Sequence, residues 1–203
     1  PLSKAEVTMD NSYQDVTDPS VYAKLRLKDS ANELPTYLLV WTTTPWTLPA
    51  NTAAAVNKMV AYAEVRVGDE IFVIAKDLIE KALTDEKHNV IEHEVIRTFK
   101  GEELIGQEYE PLFTNRGENA HKVWHGDYVT VDEGTGIVHL APAYGEEDYA
   151  LAKAEGFPFV SVLDDSGFYT EGDWKGQQVW EVNKEIAKTL HERGVVWKID
   201  YIR

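Results

Sequence analysis

The stretch Trp41-Thr42-Thr43-Thr44-Pro45-Trp46-Thr47-Leu48-Pro49-Ala50-Asn51 decides how the rest of the chain is read. The run before it, residues 37–40, is apolar and β-prone, which predicts a buried strand. Three threonines prolong that strand until Pro45, which lacks a backbone donor and fixes φ, ends it. Pro49 repeats the stop. The expected product is a strand end and bend presenting the hydroxyls of Thr42, Thr43, Thr44 and Thr47 beside the indoles of Trp41 and Trp46. A hydroxyl both donates and accepts, so the cluster suits an uncharged polar ligand. The plainer alternative is that β-branched threonines favour strands, and this stretch alone leaves both readings open.

Working outward, residues 21–28 alternate apolar and polar, as a half-buried strand does, and residues 29–35 form a loop. Residues 1–20 are polar and turn-rich and read as a surface arm. Downstream, residues 53–56 are a short strand candidate, and residues 62–67 and 71–75 flank Gly68-Asp69 as a hairpin. Leu78, Ile79, Ala82 and Leu83 share one face of a helix predicted over residues 77–85. Alternation returns over residues 90–99, and residues 107–127 are loop-like. Residues 137–140 predict a strand, Pro142 and Gly145 a bend, and residues 146–155 a helix closed by Gly156. Its first turn is acidic, as the helix dipole favours. Residues 157–163 read as a strand and 164–167 as a turn. Val179, Val182, Ile186 and Leu190 mark a last helix stopped by Gly194. The expected fold class is α+β: a barrel-like, mainly antiparallel β-sheet core with a few peripheral helices, forming one domain over residues 1–203.

Bulk properties narrow the function. A net charge of −15 and a pI near 4.8 argue against coating a nucleic-acid backbone, which needs clustered Lys and Arg. Any nucleic-acid contact is therefore limited to a few nucleotides, with affinity supplied elsewhere. No apolar run approaches the roughly 18 residues of a membrane span, so no membrane partner is expected. The absence of cysteine excludes disulfides, thiol nucleophiles and Cys-ligated metal and fits a cytoplasmic setting. The chain starts at Pro1 and stops at Arg203, which leads us to expect a monomeric segment of a longer protein.

A second informative stretch is Gly134-Thr-Gly-Ile-Val-His-Leu-Ala-Pro-Ala-Tyr-Gly-Glu-Glu-Asp148. His139 sits within its strand and Asp148 in the first turn of the following helix. A strand–bend–helix unit brings a strand end and a helix start to one edge, so both side chains can line one pocket. There a carboxylate holds an ammonium group, while a neutral imidazole offers bulk and a hydrogen bond. The alternative is a core-edge histidine and a helix-capping aspartate. Gly134-Thr-Gly136 lacks the third glycine of a dinucleotide fingerprint. The pairs His88/His93 and His121/His125 sit in loops without a third ligand, so no metal or cofactor is expected. Without a Gly-x-Ser-x-Gly elbow, a covalent hydrolase has few candidates beyond Thr or Ser with His139.

The two stretches, in this order and spacing, closely resemble the editing domain of isoleucyl-tRNA synthetases, a resemblance spanning roughly residues 20–200. The related valine and leucine editing domains carry Thr-Thr-Arg-Pro followed by an acid and Thr. Thr44 stands here in place of that Arg and Trp46 in place of the acid, which favours the isoleucine type. His-Ile-Gly-His and Lys-Met-Ser-Lys-Ser signatures of an aminoacylation site are absent. The resemblance implies hydrolysis of the ester of valine mistakenly attached to isoleucine tRNA, and a role toward valyl-adenylate. One methylene is worth only about 1–3 kcal/mol of binding, so a second pocket is needed to discriminate. By the same resemblance, Asp148 binds the α-ammonium and His139 walls the pocket against isoleucine, with Thr47 a second part of the sieve. Thr42, Thr43 and Thr44 hold the ester, the terminal adenosine and a water, and Trp46 forms pocket wall, as does Trp41. The implied partners are the 3′ end of the tRNA and the rest of the synthetase chain, which carries the ATP-dependent ligase site. Two rivals are an editing domain of the valine or leucine type and a non-hydrolytic module that binds tRNA or a partner.

Overall fold

The computed structural model describes residues 18–202. Of the expected surface arm, residues 1–17 lie outside the described residues, while residues 18–20 open the first strand. The strands are β1 (Asp18–Arg26), β2 (Thr36–Thr42), β3 (Ala53–Val56), β4 (Ala61–Val67), β5 (Glu70–Ala75), β6 (Glu94–Lys100), β7 (Lys122–His125), β8 (Val138–Leu140) and β9 (Val196–Ile202). The helices are a single turn α1 (Ile79–Ala82), α2 (Glu146–Glu155) and α3 (Val179–Glu192). The class is the α+β expected, and its barrel-like character takes the form of two sheets. The larger runs β6-β4-β5-β2-β1-β9, antiparallel except for the parallel pair β2/β5. The smaller runs β7-β3-β8, with β3 parallel to β7 and antiparallel to β8.

Local chemistry explains most of these elements. The hairpin β4/β5 turns at Gly68, whose φ of 60° suits glycine. β1 lies between β2 and β9, and the side chains of both its faces are buried, so it is not half-buried. Tyr22, packed edge-on against Trp197, is buried alongside Val21, Ala23 and Leu25. α3 is amphipathic and packs Val179, Val182, Ile186, Ala187 and Leu190 into the core. Its N-terminus is capped by the Gln178 side chain, which accepts from the N–H groups of Trp180 and Glu181.

Four segments differ from expectation. The helix predicted over residues 77–85 stops after one turn, because Asp85 Oδ1 accepts from the N–H groups of Lys87 and Asn89 and nucleates a turn instead. The strand expected over residues 90–99 begins only at Glu94. Residues 157–163 form no named strand: Pro158 offers no donor, and the N–H groups of Val162 and Leu163 donate to the Tyr144 hydroxyl instead of a ladder. Within the loop-like residues 107–127 lies β7, which adds an edge to the small sheet. After Pro45 the chain enters a 3-10 helix, Pro45–Ala50, with Pro45 at its start, where a missing N–H costs nothing.

This arrangement sets the end of β2, from the large sheet, against β8 of the small sheet and the first turn of α2. The loop before β8 is clamped there. The Tyr62 hydroxyl donates to the Gly136 carbonyl at 2.6 Å, and Ala75 N–H donates to the Thr135 carbonyl at 2.8 Å. Gly136 has φ 75°, and a Cβ there would stand 2.5 Å from the Ala75 methyl. Only glycine fits so close an approach.

Candidate functional site

A cavity of about 340 Å3 opens at this junction. Its lining includes Trp41, Thr42 and Thr43 from the β2 end, Gly134 to Ile137 before β8, His139 on β8 and Asp148 on α2. The two stretches singled out in the sequence thus share one cavity. Thr44 and Trp46 border an adjoining groove instead, and Thr47 is buried behind His139.

The threonines are linked to one another. Thr44 N–H donates to Thr42 Oγ1 at 3.1 Å, and the Thr42 and Thr44 hydroxyls lie 3.2 Å apart. Thr47 Oγ1 donates to the Thr44 carbonyl at 2.9 Å and lies 3.4 Å from Thr44 Oγ1. This is a turn in which side-chain oxygens replace ladder partners after the strand has ended.

His139 is held on both ring nitrogens. Nδ1 lies 2.8 Å from Asn51 Nδ2, and Nε2 lies 2.8 Å from Thr47 Oγ1. The tautomer follows from the groups around it. Asn51 Nδ2 also donates to the Ala53 carbonyl at 3.0 Å, and Asn51 Oδ1 accepts from the Tyr109 hydroxyl at 2.6 Å. A carbonyl only accepts, so the amide nitrogen faces Ala53 and His139. Nδ1 is therefore the acceptor and Nε2 carries the proton, donating to Thr47, which in turn donates to Thr44. Burial pushes the His139 pKa down to about 4. The imidazole is neutral, and its one lone pair is occupied, so it is a wall and hydrogen-bonding group rather than a free base.

Asp148 stands at the opposite electrical pole. Its Oδ2 accepts from Ala141 N–H at 2.9 Å, and Gly145 leaves room for the carboxylate, since a Cβ there would lie 3.1 Å from Asp148 Cγ. Burial raises its pKa, the Ala141 N–H opposes that rise, and Glu147 nearby adds to it. A half-buried carboxylate whose ionised form is disfavoured gains most from a cation placed against it. Such a cavity can seat a ligand with an ammonium at one end and a small apolar group near a neutral imidazole.

Asn51 and Tyr109 belong to the hydrogen-bond network that holds His139, and sequence reasoning passed over both as site residues. Asn51 closes the quoted stretch, immediately before Thr52 and the alanine-rich β3, where a buried amide signals a specific partner. Tyr109 sits in the loop-like residues, and nothing in its sequence neighbours marks it. Of the histidines expected in loops, His121 Nε2 accepts from Arg116 N–H, and His125, which falls at the end of β7, bonds Asp127 and Lys58 N–H. Among the described residues no helix is long and apolar enough to cross a membrane.

No protein-family model matches the chain. It is 40% identical over 201 residues to the isoleucine–tRNA ligase of Clostridium tetani, covering 97% of this chain and 18% of that protein. It is 42% identical over 207 residues to the isoleucine–tRNA ligase of Methanocaldococcus jannaschii, covering 95% of this chain and 20% of that one. The chain thus spans about a fifth of the length of the curated relatives it matches. Among solved structures, GlLeuRS-CP1 superposes with a TM-score of 0.74 at 16% identity, over 91% of this chain and 100% of that one. The editing domain of the P. falciparum cytosolic leucyl-tRNA synthetase gives 0.70 at 10% identity, over 91% and 99%. At such identities the superpositions show a shared fold.

Proposed function

We propose that this chain, homologous over nearly its whole length to a segment of isoleucine–tRNA ligases and folded as leucyl-tRNA synthetase editing domains are, is an aminoacyl-tRNA deacylase. Its substrate is valine esterified to the 3′ end of isoleucine tRNA, with valyl-adenylate a second substrate. The observation that carries the reading is the placement of Asp148, neutral His139 and the Thr42–Thr43 hydroxyls around one cavity. Asp148 takes the α-ammonium, and the imidazole limits the side chain. Thr47 acts through the imidazole, bracing it from behind at 2.8 Å. The acidic surface is no obstacle, because only an unpaired end enters and the remainder of the synthetase holds the tRNA body.

The chemistry needs no protein nucleophile. A water attacks the ester carbonyl, Thr hydroxyls and backbone N–H groups stabilise the oxyanion, and the free ribose hydroxyl assists the water. Holding these groups together supplies much of the rate. Thr44 and Trp46, which replace the Arg and acid of the valine and leucine types, support the isoleucine assignment.

The test compares valyl-adenosine ester with its des-amino analogue, the 3-methylbutanoyl ester, in the wild type and Asp148→Asn. A charge-assisted hydrogen bond is worth about 1.5–3 kcal/mol, so kcat/KM for the valyl ester falls roughly 10- to 100-fold. The des-amino ester is unaffected. An equal loss on both esters removes Asp148 from ammonium binding, and no hydrolysis of either by the wild type favours the non-hydrolytic module.

A further inference from the structure

The two residues that hold His139 come from one short run of chain. Thr47 meets Nε2 and Asn51 meets Nδ1, so residues 47–51 span the ring as a strap tied to both nitrogens. The middle of the strap is Pro49, which has no N–H with which to tie the backbone down. Its carbonyl lies in the last turn of the 3-10 helix, where carbonyls have no partner within the helix. Arg116 supplies that partner. One terminal nitrogen of its guanidinium donates to the Pro49 carbonyl at 3.1 Å. The other donates to the Glu171 carboxylate oxygens, at 3.2 and 3.4 Å.

The surroundings of Arg116 grip the same segment at both ends. Its own N–H donates to His121 Nε2 at 3.0 Å, and His121 N–H donates at 2.7 Å to the Thr52 carbonyl, one residue beyond the strap. The segment that carries Glu171 also carries Tyr169, whose hydroxyl donates at 2.7 Å to the Trp46 carbonyl, one residue before it. The Arg116 side chain is 12% exposed, and its Nε is buried without a partner among the described residues. Packing alone does not call for a buried charged group with an unsatisfied nitrogen. What the guanidinium provides is a rigid fork that reaches Pro49 and Glu171 at once. Arg116 does not line the cavity, so it acts through other residues.

We infer that Arg116 is a positioning residue for the size filter: by fixing the Pro49 carbonyl it keeps Thr47 and Asn51 at the spacing that holds the imidazole still. The inference rests on the deacylase reading for the substrate that the ring excludes. Close-packed interiors transmit small displacements, so a strap released at its middle shifts the ring it holds. Discrimination then falls before hydrolysis of the smaller ester does.

The experiment measures kcat/KM for the valyl and isoleucyl esters of adenosine in the wild type, Arg116→Met and Arg116→Lys. Methionine fills much of the same space without a donor, and the isoleucyl-to-valyl ratio should rise roughly 10-fold, the discrimination one methylene carries. Lysine keeps the charge, but its ammonium is a single point that cannot serve both partners, so the ratio rises less. Lys24→Met removes a similarly shielded ion pair, to Glu70 in the large sheet, and controls for lost stability; its ratio should match the wild type. Proton exchange at His139 Nε2, followed by NMR, should quicken about 10-fold in Arg116→Met as a charge-assisted bond is lost, and not in Lys24→Met. A ratio that stays at the wild-type value in Arg116→Met (in Arg116→Lys if Arg116→Met does not fold), or that rises equally in Lys24→Met, overturns the role. If the wild type hydrolyses neither ester, the deacylase reading falls. The bracing of the ring is then judged by the exchange rate, and an unchanged rate in Arg116→Met refutes it.

Discussion

Acidification offers the most direct test of how His139 is held. Its pKa falls from the ordinary 6.5 to about 4 because burial penalises the imidazolium. Protonation would also put a hydrogen on Nδ1, which now accepts from Asn51. The unfolded chain takes up the proton near pH 6.5, whereas the folded chain resists until about pH 4. Stability from this residue is therefore fully present above 6.5 and is lost as pH falls through that window. A separation of about 2.5 units corresponds to roughly 3 kcal/mol in total, of which about 2 kcal/mol is gone by pH 5. Urea unfolding of the wild type and His139→Gln between pH 7.5 and 4.5 isolates the contribution, because carboxylates and the other histidines titrate in both. The wild type should lose about 2 kcal/mol more than the variant by pH 5. Nitrogen NMR of the imidazole should report Nε2 protonated and Nδ1 bare at pH 7. Parallel pH profiles, or a protonated Nδ1, would refute the account of the ring.

Tyr109→Phe removes the donor to Asn51 Oδ1 and leaves a buried carbonyl oxygen unpaired, at a cost of about 1–3 kcal/mol. Calorimetry should show a Tm fall of roughly 2–4 °C per kcal/mol, and an unchanged Tm would show that Asn51 finds another partner. His139→Ala enlarges the cavity on its buried wall, so the isoleucyl ester should gain hydrolysis by at least 10-fold relative to the valyl ester, the discrimination one methylene carries. Hydrolysis of the valyl ester serves as the folding control, and continued rejection of isoleucine removes His139 from the sieve.

The local punctuation of the fold was legible because single residues enforce it. Gly68 turns the hairpin, Gly156, at φ 79°, closes α2, and Pro45 opens the 3-10 helix, although β2 already ends at Thr42 rather than running through the threonines to Pro45. What the sequence hid was long-range pairing. Nothing local to β1 foretells its pairing with β9, 180 residues away at Ser20 and Asp200. Residues 157–163 carry β-prone side chains, yet the competing acceptor, the Tyr144 hydroxyl, comes from another segment. The site divides in the same way. Thr42, Thr43, His139 and Asp148 announced themselves by chemistry and spacing, and the cavity unites them. Asn51 and Tyr109, 58 residues apart, act only through a hydrogen bond that exists after folding.

That hydrogen bond also explains how one cavity keeps two unlike ends. A size filter must be stiff, because a wall that yields by half an ångström admits the extra methylene it should reject. A bare imidazole on a strand would rotate about its own side-chain bonds. Here Asn51 holds one nitrogen and Thr47 the other, each at 2.8 Å, and Tyr109 and the Ala53 carbonyl hold Asn51. The hydrogen-bonded series Tyr109, Asn51, His139 and Thr47 is neutral throughout, so it can be buried without the cost of an unpaired ion. Asp148 needs the reverse, a carboxylate close enough to water and a cation to stay charged, and it is only half-buried. Exchanging their environments would fail on both counts: a buried carboxylate would take a proton and lose its hold on an ammonium, and an exposed imidazole would not stay fixed and would start to take up a proton near pH 6.5. In the proposed reaction, rejection by size and capture by charge therefore follow from where the fold lets water reach.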